Sequence, residues 1–173
     1  RLNIDIAVYF EDSIITYNID LEDGAESFAF TAESAPKNVI VDSEHVLLAE
    51  IIDEKPQDWW LDQLRAPRYM DQKKILKNLN GPALETAIKH NLKHEYWGVR
   101  ELATKAIERT DNPTQFERTL LDVAANDNRT TVRAAAIYVL GNLEGADKHE
   151  ALFDAATREM SYAVAGAGLD DLA

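Results

Sequence analysis

The sequence lacks cysteine, which excludes disulfide bonds and thiolate metal sites in its 173 residues. It is also short of basic residues: 18 Lys and Arg stand against 31 Asp and Glu, a formal net charge of −13. Nucleic acids and anionic membranes require a basic face, so we expect neither as a partner. No apolar run approaches the roughly 20 residues that span a bilayer. No glycine-rich phosphate loop is present.

What the sequence does contain is enough apolar residues, 46% of the total, for a packed core. The composition changes at Pro56. Before it, short segments that alternate or are rich in β-branched residues are separated by turns, which predicts strands of an antiparallel β-sandwich. We therefore predict a mixed protein of two domains, a β-sandwich over residues 1–55 and a helical domain over residues 56–173. The predicted strands lie at 2–10, 14–20, 26–30, 39–41 and 46–52.

One apolar pattern occurs twice in the second half of the chain, at helical spacing and at a constant offset of 33 residues. The residues of the two stripes are Val99, Leu102, Ala103, Ala106 and Ile107, then Val132, Ala135, Ala136, Val139 and Leu140. A third, weaker copy over 164–172 follows at an offset of 32. Repeated helices at a fixed offset are typical of an α-α superhelix, in which each repeat buries its stripe against the next. We expect the array to begin near Trp59 and still to be running at the last residue, so that both chain ends are truncated.

Two segments resemble a known family. The first runs from Val39 to Trp60 and includes Leu47-Leu48-Ala49-Glu50 and Glu54-Lys55-Pro56; the second is Ala66-Pro-Arg-Tyr-Met-Asp71. Together they look like the C-terminal region of the aminopeptidase N-type zinc metallopeptidases. The resemblance implies a small β-sandwich followed by HEAT-like repeats, although a period of 33 is shorter than the usual HEAT length of about 40–47.

In function, the resemblance implies a non-catalytic part of an enzyme that removes N-terminal residues from peptides, with the helical repeats covering the substrate chamber. The parent catalytic domain is then the partner in cis, and zinc is expected there rather than in this chain. The Val-Arg-x-x-Ala core of both repeats is similar to short HEAT-like units, in which the arginine bonds an acidic side chain or carbonyl of its neighbour. By resemblance, Arg100 and Arg133 take this structural role.

No catalytic, cofactor-binding or metal residue is predicted. The family's His-Glu-x-x-His and Gly-x-Met-Glu-Asn motifs are missing, so the isolated chain should be inactive. His90 and His94 have the spacing of two metal ligands on one helix. However, Asn91 occupies the place of the general base and cannot accept a proton from zinc-bound water. We therefore interpret the pair as a polar helix end.

The remaining candidates have plain structural interpretations. The acidic pairs Glu11-Asp12, Glu22-Asp23 and Asp170-Asp171 are expected to be solvated. Trp59 and Trp60 are expected in a core, and His45 in a turn. Two alternatives stay open: a free-standing HEAT-repeat module that binds a protein partner, and a catalytically dead relative of the aminopeptidases that serves as a scaffold.

Overall fold

The computed structural model describes residues 2–22, 24–49, 51–66, 68–144, 148–158 and 161–170. It is a mixed α/β protein that divides into two compact units, residues 1–65 and residues 66–173. The division follows Arg65 rather than residue 55, because the first helix and the turn after it belong with the strands. Among the described helices, none has the length and apolar character needed to cross a membrane.

The first unit is built on a three-stranded antiparallel sheet with strand order β2-β1-β3. Strand β1 (Leu2–Tyr9) pairs with β2 (Ile14–Leu21) along its whole length and with β3 (Asn38–Val41) through residues 6–9. Alternation places one set of side chains in a common core, as the period of two predicts. The buried members are Ile4, Ile6, Val8 and Ile19. Helix α1 (Gln57–Asp62) and a 3-10 turn (Gln63–Arg65) complete the unit.

Two of the five predicted strands are wrong. Residues 26–30, and the described part of 46–52, have no strand structure. Their alternating apolar side chains find no facing layer within the chain: Leu48 is fully exposed, and Val46, Ile52 and Phe28 are also exposed. Alternation stabilises a strand only where one face is buried.

The second unit is helical in its described parts. Its helices are α2 (Tyr69–Asn78), α3 (Gly81–Asn91), α4 (Trp97–Ala106), α5 (Glu117–Asn126), α6 (Thr130–Asn142), α7 (His149–Arg158) and α8 (Tyr162–Asp170). A 3-10 turn follows α4 at Ile107–Arg109, and another, Pro113–Phe116, precedes α5. The predicted capping box at Thr114 and Glu117 does not form, because the Thr114 hydroxyl bonds the Asn112 side chain at 2.8 Å and α5 starts only at Glu117.

The two repeated stripes lie on neighbouring helices. Helix α6 packs on α4 and on α8, and α4 also packs on α2, so α2, α4, α6 and α8 form one serial layer. Helices α3, α5 and α7 each pack on the helix that follows them. All the predicted stripe residues are buried except Leu102, which is half-buried. The prediction that each repeated helix buries its stripe against the next is confirmed for α4 and α6.

Candidate functional site

The most completely bonded side chain of the first unit is Lys55, whose side chain is only 3% exposed. Its ammonium donates to the Asn38 and Gln63 side chains, both at 3.0 Å, and to the Val39 carbonyl at 2.9 Å. It pairs with the Asp53 carboxylate at 2.8 Å. The same ammonium lies 4.4 Å from the ring centroid of Trp60.

This arrangement joins β3, the segment before Pro56 and the α1 region through one charged group. A buried ammonium is tolerated only when it is paired and hydrogen-bonded, and here four oxygen atoms lie within 3.0 Å. The partners Asn38 and Gln63 are themselves buried, and the Trp60 side chain completes the shell. Lys55 therefore acts as a structural clamp. It carries no geometry for proton transfer to a substrate.

In the helical unit, arginines repeat at the offset of the helices. Arg100 donates to the carbonyl of His94 at 2.9 Å, and Arg133 donates to the carbonyl of Asp127 at 3.0 Å. Donor and acceptor positions both advance by 33 residues, 133 − 100 and 127 − 94. Each arginine thus fixes the loop that leads into its own helix. The family resemblance predicts this kind of bond, and the contacts confirm it.

Arg100 also reaches the next repeat. Its guanidinium binds the Asp127 carboxylate with both arms, at 2.7 and 2.9 Å, in the strong bidentate geometry. Hydrogen bonding to Asp127 raises the pKa of the Arg100 guanidinium. Burial raises the pKa of the Asp127 carboxyl, but hydrogen bonds from Arg100 and the Arg129 backbone N–H, with the nearby arginine charges, outweigh it. The pKa of Asp127 is consequently below its ordinary value of 3.8.

Aromatic side chains gather where α2 and α4 begin, and we call Tyr69, Tyr96, Trp97 and Arg129 the aromatic edge. The rings of Tyr69 and Tyr96 meet edge to face at 5.8 Å, and those of Tyr96 and Trp97 lie 5.5 Å apart. The Arg129 guanidinium covers the Trp97 ring at 5.1 Å. Gly98 makes this possible, since a Cβ there would come 2.7 Å from the Tyr96 ring.

The aromatic edge opens onto a cleft of about 300 Å³ lined by Trp97, Asn128, Arg129, Thr130 and Thr131. Its walls offer an aromatic face, a guanidinium and two hydroxyls. These groups suit an extended peptide, which presents carbonyls and apolar side chains together. They include no nucleophile–base pair, so the chemistry available at the cleft is binding.

The predicted histidine pair does not share a helix. Helix α3 ends at Asn91, so His90 is exposed in its last turn whereas His94 lies in the following loop. The His94 Nδ1 atom accepts the backbone N–H of Tyr96 at 3.0 Å. Asn91 is fully buried and donates to the Gln72 side chain at 3.0 Å. Within the described ranges, no group of three His, Asp or Glu side chains is placed to hold a metal.

The other predicted residues take structural places. Trp60 is in the core as predicted, and Trp59 is half-buried. Glu11 is exposed and pairs with Lys37 at 3.0 Å, which lowers the pKa of the Glu11 carboxyl. Asp23 and Asp171 lie outside the described residues. His45 occupies a turn with a φ of 55°.

Sequence reasoning did not identify the aromatic edge or the Lys55 clamp as clusters. Tyr96 and Trp97 begin the repeated segment, and Tyr69 lies in the second segment that carries the family resemblance. Their convergence depends on the stacking of α2 on α4, which brings together residues 27 positions apart. Comparison of the chain with protein-family models, with curated proteins and with solved structures finds no match.

Proposed function

We propose that this chain is a non-catalytic C-terminal part of an aminopeptidase N-type zinc metallopeptidase. In this proposal the three-stranded sheet belongs to a small β-sandwich, and the helical unit is an array of HEAT-like repeats that covers the chamber where peptides lose their N-terminal residues. Zinc and the reacting groups belong to the parent catalytic domain, the partner in cis.

The observation that carries the proposal is the Lys55 clamp. The residues that resemble the family, from Val39 to Trp60, are also the ones that build this buried polar junction. The second resembling segment does the same in the helical unit, where the Ala66 carbonyl accepts the Gln72 side chain at 2.5 Å. Such residues are costly to exchange one at a time, because each leaves buried partners unsatisfied. A family signature at these positions therefore has a physical reason.

Two further observations support the proposal. The aromatic edge and its cleft suit peptide chains rather than charged polymers. In the first unit, Val46, Leu48 and Ile52 expose apolar side chains over 72%, 107% and 83% of their surface. Apolar side chains exposed so fully and so close together in the chain are typical of a surface that another domain covers, as docking on a catalytic domain requires.

The first test compares two contexts for one substitution. Leu48→Asp should leave the stability of the 173-residue chain unchanged, since Leu48 is already exposed. In the full-length protein it should lower both the thermal midpoint and the hydrolysis of aminoacyl anilides, because it would break docking. Equal effects in the two contexts, or anilide turnover by the pure 173-residue chain, would defeat the proposal.

The second candidate is a HEAT-repeat module that binds a protein partner. A groove of about 500 Å³ between α3 and α5 favours it, with Phe116, Leu92 and Val123 as its apolar part and Lys89 and Lys93 beside them. Translation of the gene upstream of Arg1 separates the candidates. Intact His-Glu-x-x-His and Gly-x-Met-Glu-Asn motifs indicate the enzyme, a degraded motif indicates a catalytically dead scaffold, and no related domain indicates the module.

A further inference from the structure

Helix α8 is apolar on two opposite faces. The sequence from Tyr162 to Leu169 contains no charged residue. One face, with Val164 at 2% exposure, packs into the fold. The other carries Tyr162, Ala165, Gly166 and Leu169, spaced i, i+3, i+4, i+7, and we call it the free stripe. Helices that are apolar all round are ordinarily covered all round.

The repeat shows what covers the equivalent face of earlier helices. Thr104 of α4, Ile137 of α6 and Leu169 of α8 occupy the same position, at offsets of 33 and 32. Thr104 is 0% exposed and Ile137 is 2% exposed, whereas Leu169 is 59% exposed. Ile137 lines a cleft together with Ala155 of α7 and Val164 of α8. This position therefore faces the next helical pair.

Gly166 gives a second, independent indication. A Cβ at this position would meet no atom within 4 Å, so no described neighbour requires a glycine. Glycine inside a helix costs about 1 kcal/mol relative to alanine. A backbone that must come close to another helix is the usual reason to accept that cost.

We propose that the free stripe is the docking surface for one further α-α pair, seated on α8 as α7 and α8 are seated on α6. The pair would present a small-residue stripe like that of α6 and a basic residue ahead of it. Trp97 and Tyr162 are equivalent, 65 positions apart (33 + 32). Arg129 covers Trp97, and Tyr162 is 95% exposed. This inference does not depend on the proposed function.

Charge favours such a partner over a second copy of the chain. Two copies would each carry a net charge of −13 and repel one another. A stable dimer also needs about 800 Å² from each partner, more than the one exposed face of a nine-residue helix supplies. A helical pair with a basic residue meets both conditions, since it neutralises charge and adds a second helix to the contact.

The test extends the 173-residue chain by a copy of its own residues 111–143, which carry α5, Arg129 and α6. We expect one cooperative unfolding transition with a midpoint at least about 5 °C higher, and amide protection at Tyr162 and Leu169. Leu169→Asp should abolish that gain in the extended chain and shift the original chain little. Phe153→Asp, on α7 and 49% exposed, should have the same effect in both chains.

Three results would overturn the proposal. The added pair could unfold separately without raising the midpoint. Leu169→Asp could have equal effects in both chains. Alternatively, the original chain could form dimers in sedimentation experiments that Leu169→Asp dissociates, which would assign the stripe to a second copy.

Discussion

Lys55→Met removes the charge of the clamp but keeps a side chain of similar length. The substitution leaves the Asp53 carboxylate without its partner and the Asn38, Gln63 and Val39 oxygens without their shared donor. Breaking a buried ion pair costs about 3–5 kcal/mol. Because the Asp53 side chain is 22% exposed, we take the lower end, about 3 kcal/mol. A unit of this size has only about 3–10 kcal/mol in total.

The assay is urea unfolding followed by the emission of Trp60, which lies against Lys55, in a Trp97→Phe background that removes the helical unit's signal. With a slope near 1 kcal/mol per molar urea, the midpoint should fall by about 2–3 M. The matched control is Lys37→Met, because Lys37 belongs to the same unit and pairs with Glu11 while exposed. Its midpoint should not move. Equal midpoints for the two variants would refute the clamp.

Three further outcomes follow from the helical unit. Arg100→Met should cost about 2–4 kcal/mol in urea unfolding, because it strips a mostly buried carboxylate of its partner, whereas the exposed Arg118→Met should cost little. Since the folded pKa of Asp127 is depressed, its contribution is complete above pH 3.8 and is lost as the pH falls through the folded pKa; acid titration of the Arg100→Met variant should lack most of that loss. Gly98→Ala should lower the thermal midpoint through collision with the Tyr96 ring. Gly166→Ala should raise it, by about 0.5–1 kcal/mol in stability, and the opposite signs check both environments.

The sequence predicted those parts of the fold that depend on local periodicity. The stripes of α4 and α6 follow the helical period, and their constant offset indicated that the helices are neighbours. The pairing of β1 with β2 likewise needed only two alternating segments and a short turn. The segments 26–30 and 46–52 have the same alternation, but the structure gives them no facing layer. A strand pattern cannot report whether such a layer exists.

The candidate site was less predictable because its contacts join distant residues. Lys55 meets partners 8 to 17 positions away on separate segments, and none of those residue types is distinctive alone. The end of α3 at Asn91, which separates His90 from His94, is accompanied by burial of the Asn91 side chain on Gln72, 19 positions earlier. The arginine bonds were predictable only because resemblance supplied a role for Arg100 and Arg133.

The central claim is that α4 and α6 are consecutive members of one stack. The absence of cysteine allows clean spin labelling of Lys105→Cys with Tyr138→Cys, two exposed and equivalent positions 33 residues apart. Pulsed dipolar spectroscopy should give one narrow distance distribution below about 25 Å, because packed helices lie 8–10 Å apart and the labels add their own length. A broad distribution, or a single distance well beyond that range, would contradict the stack and the account built on it.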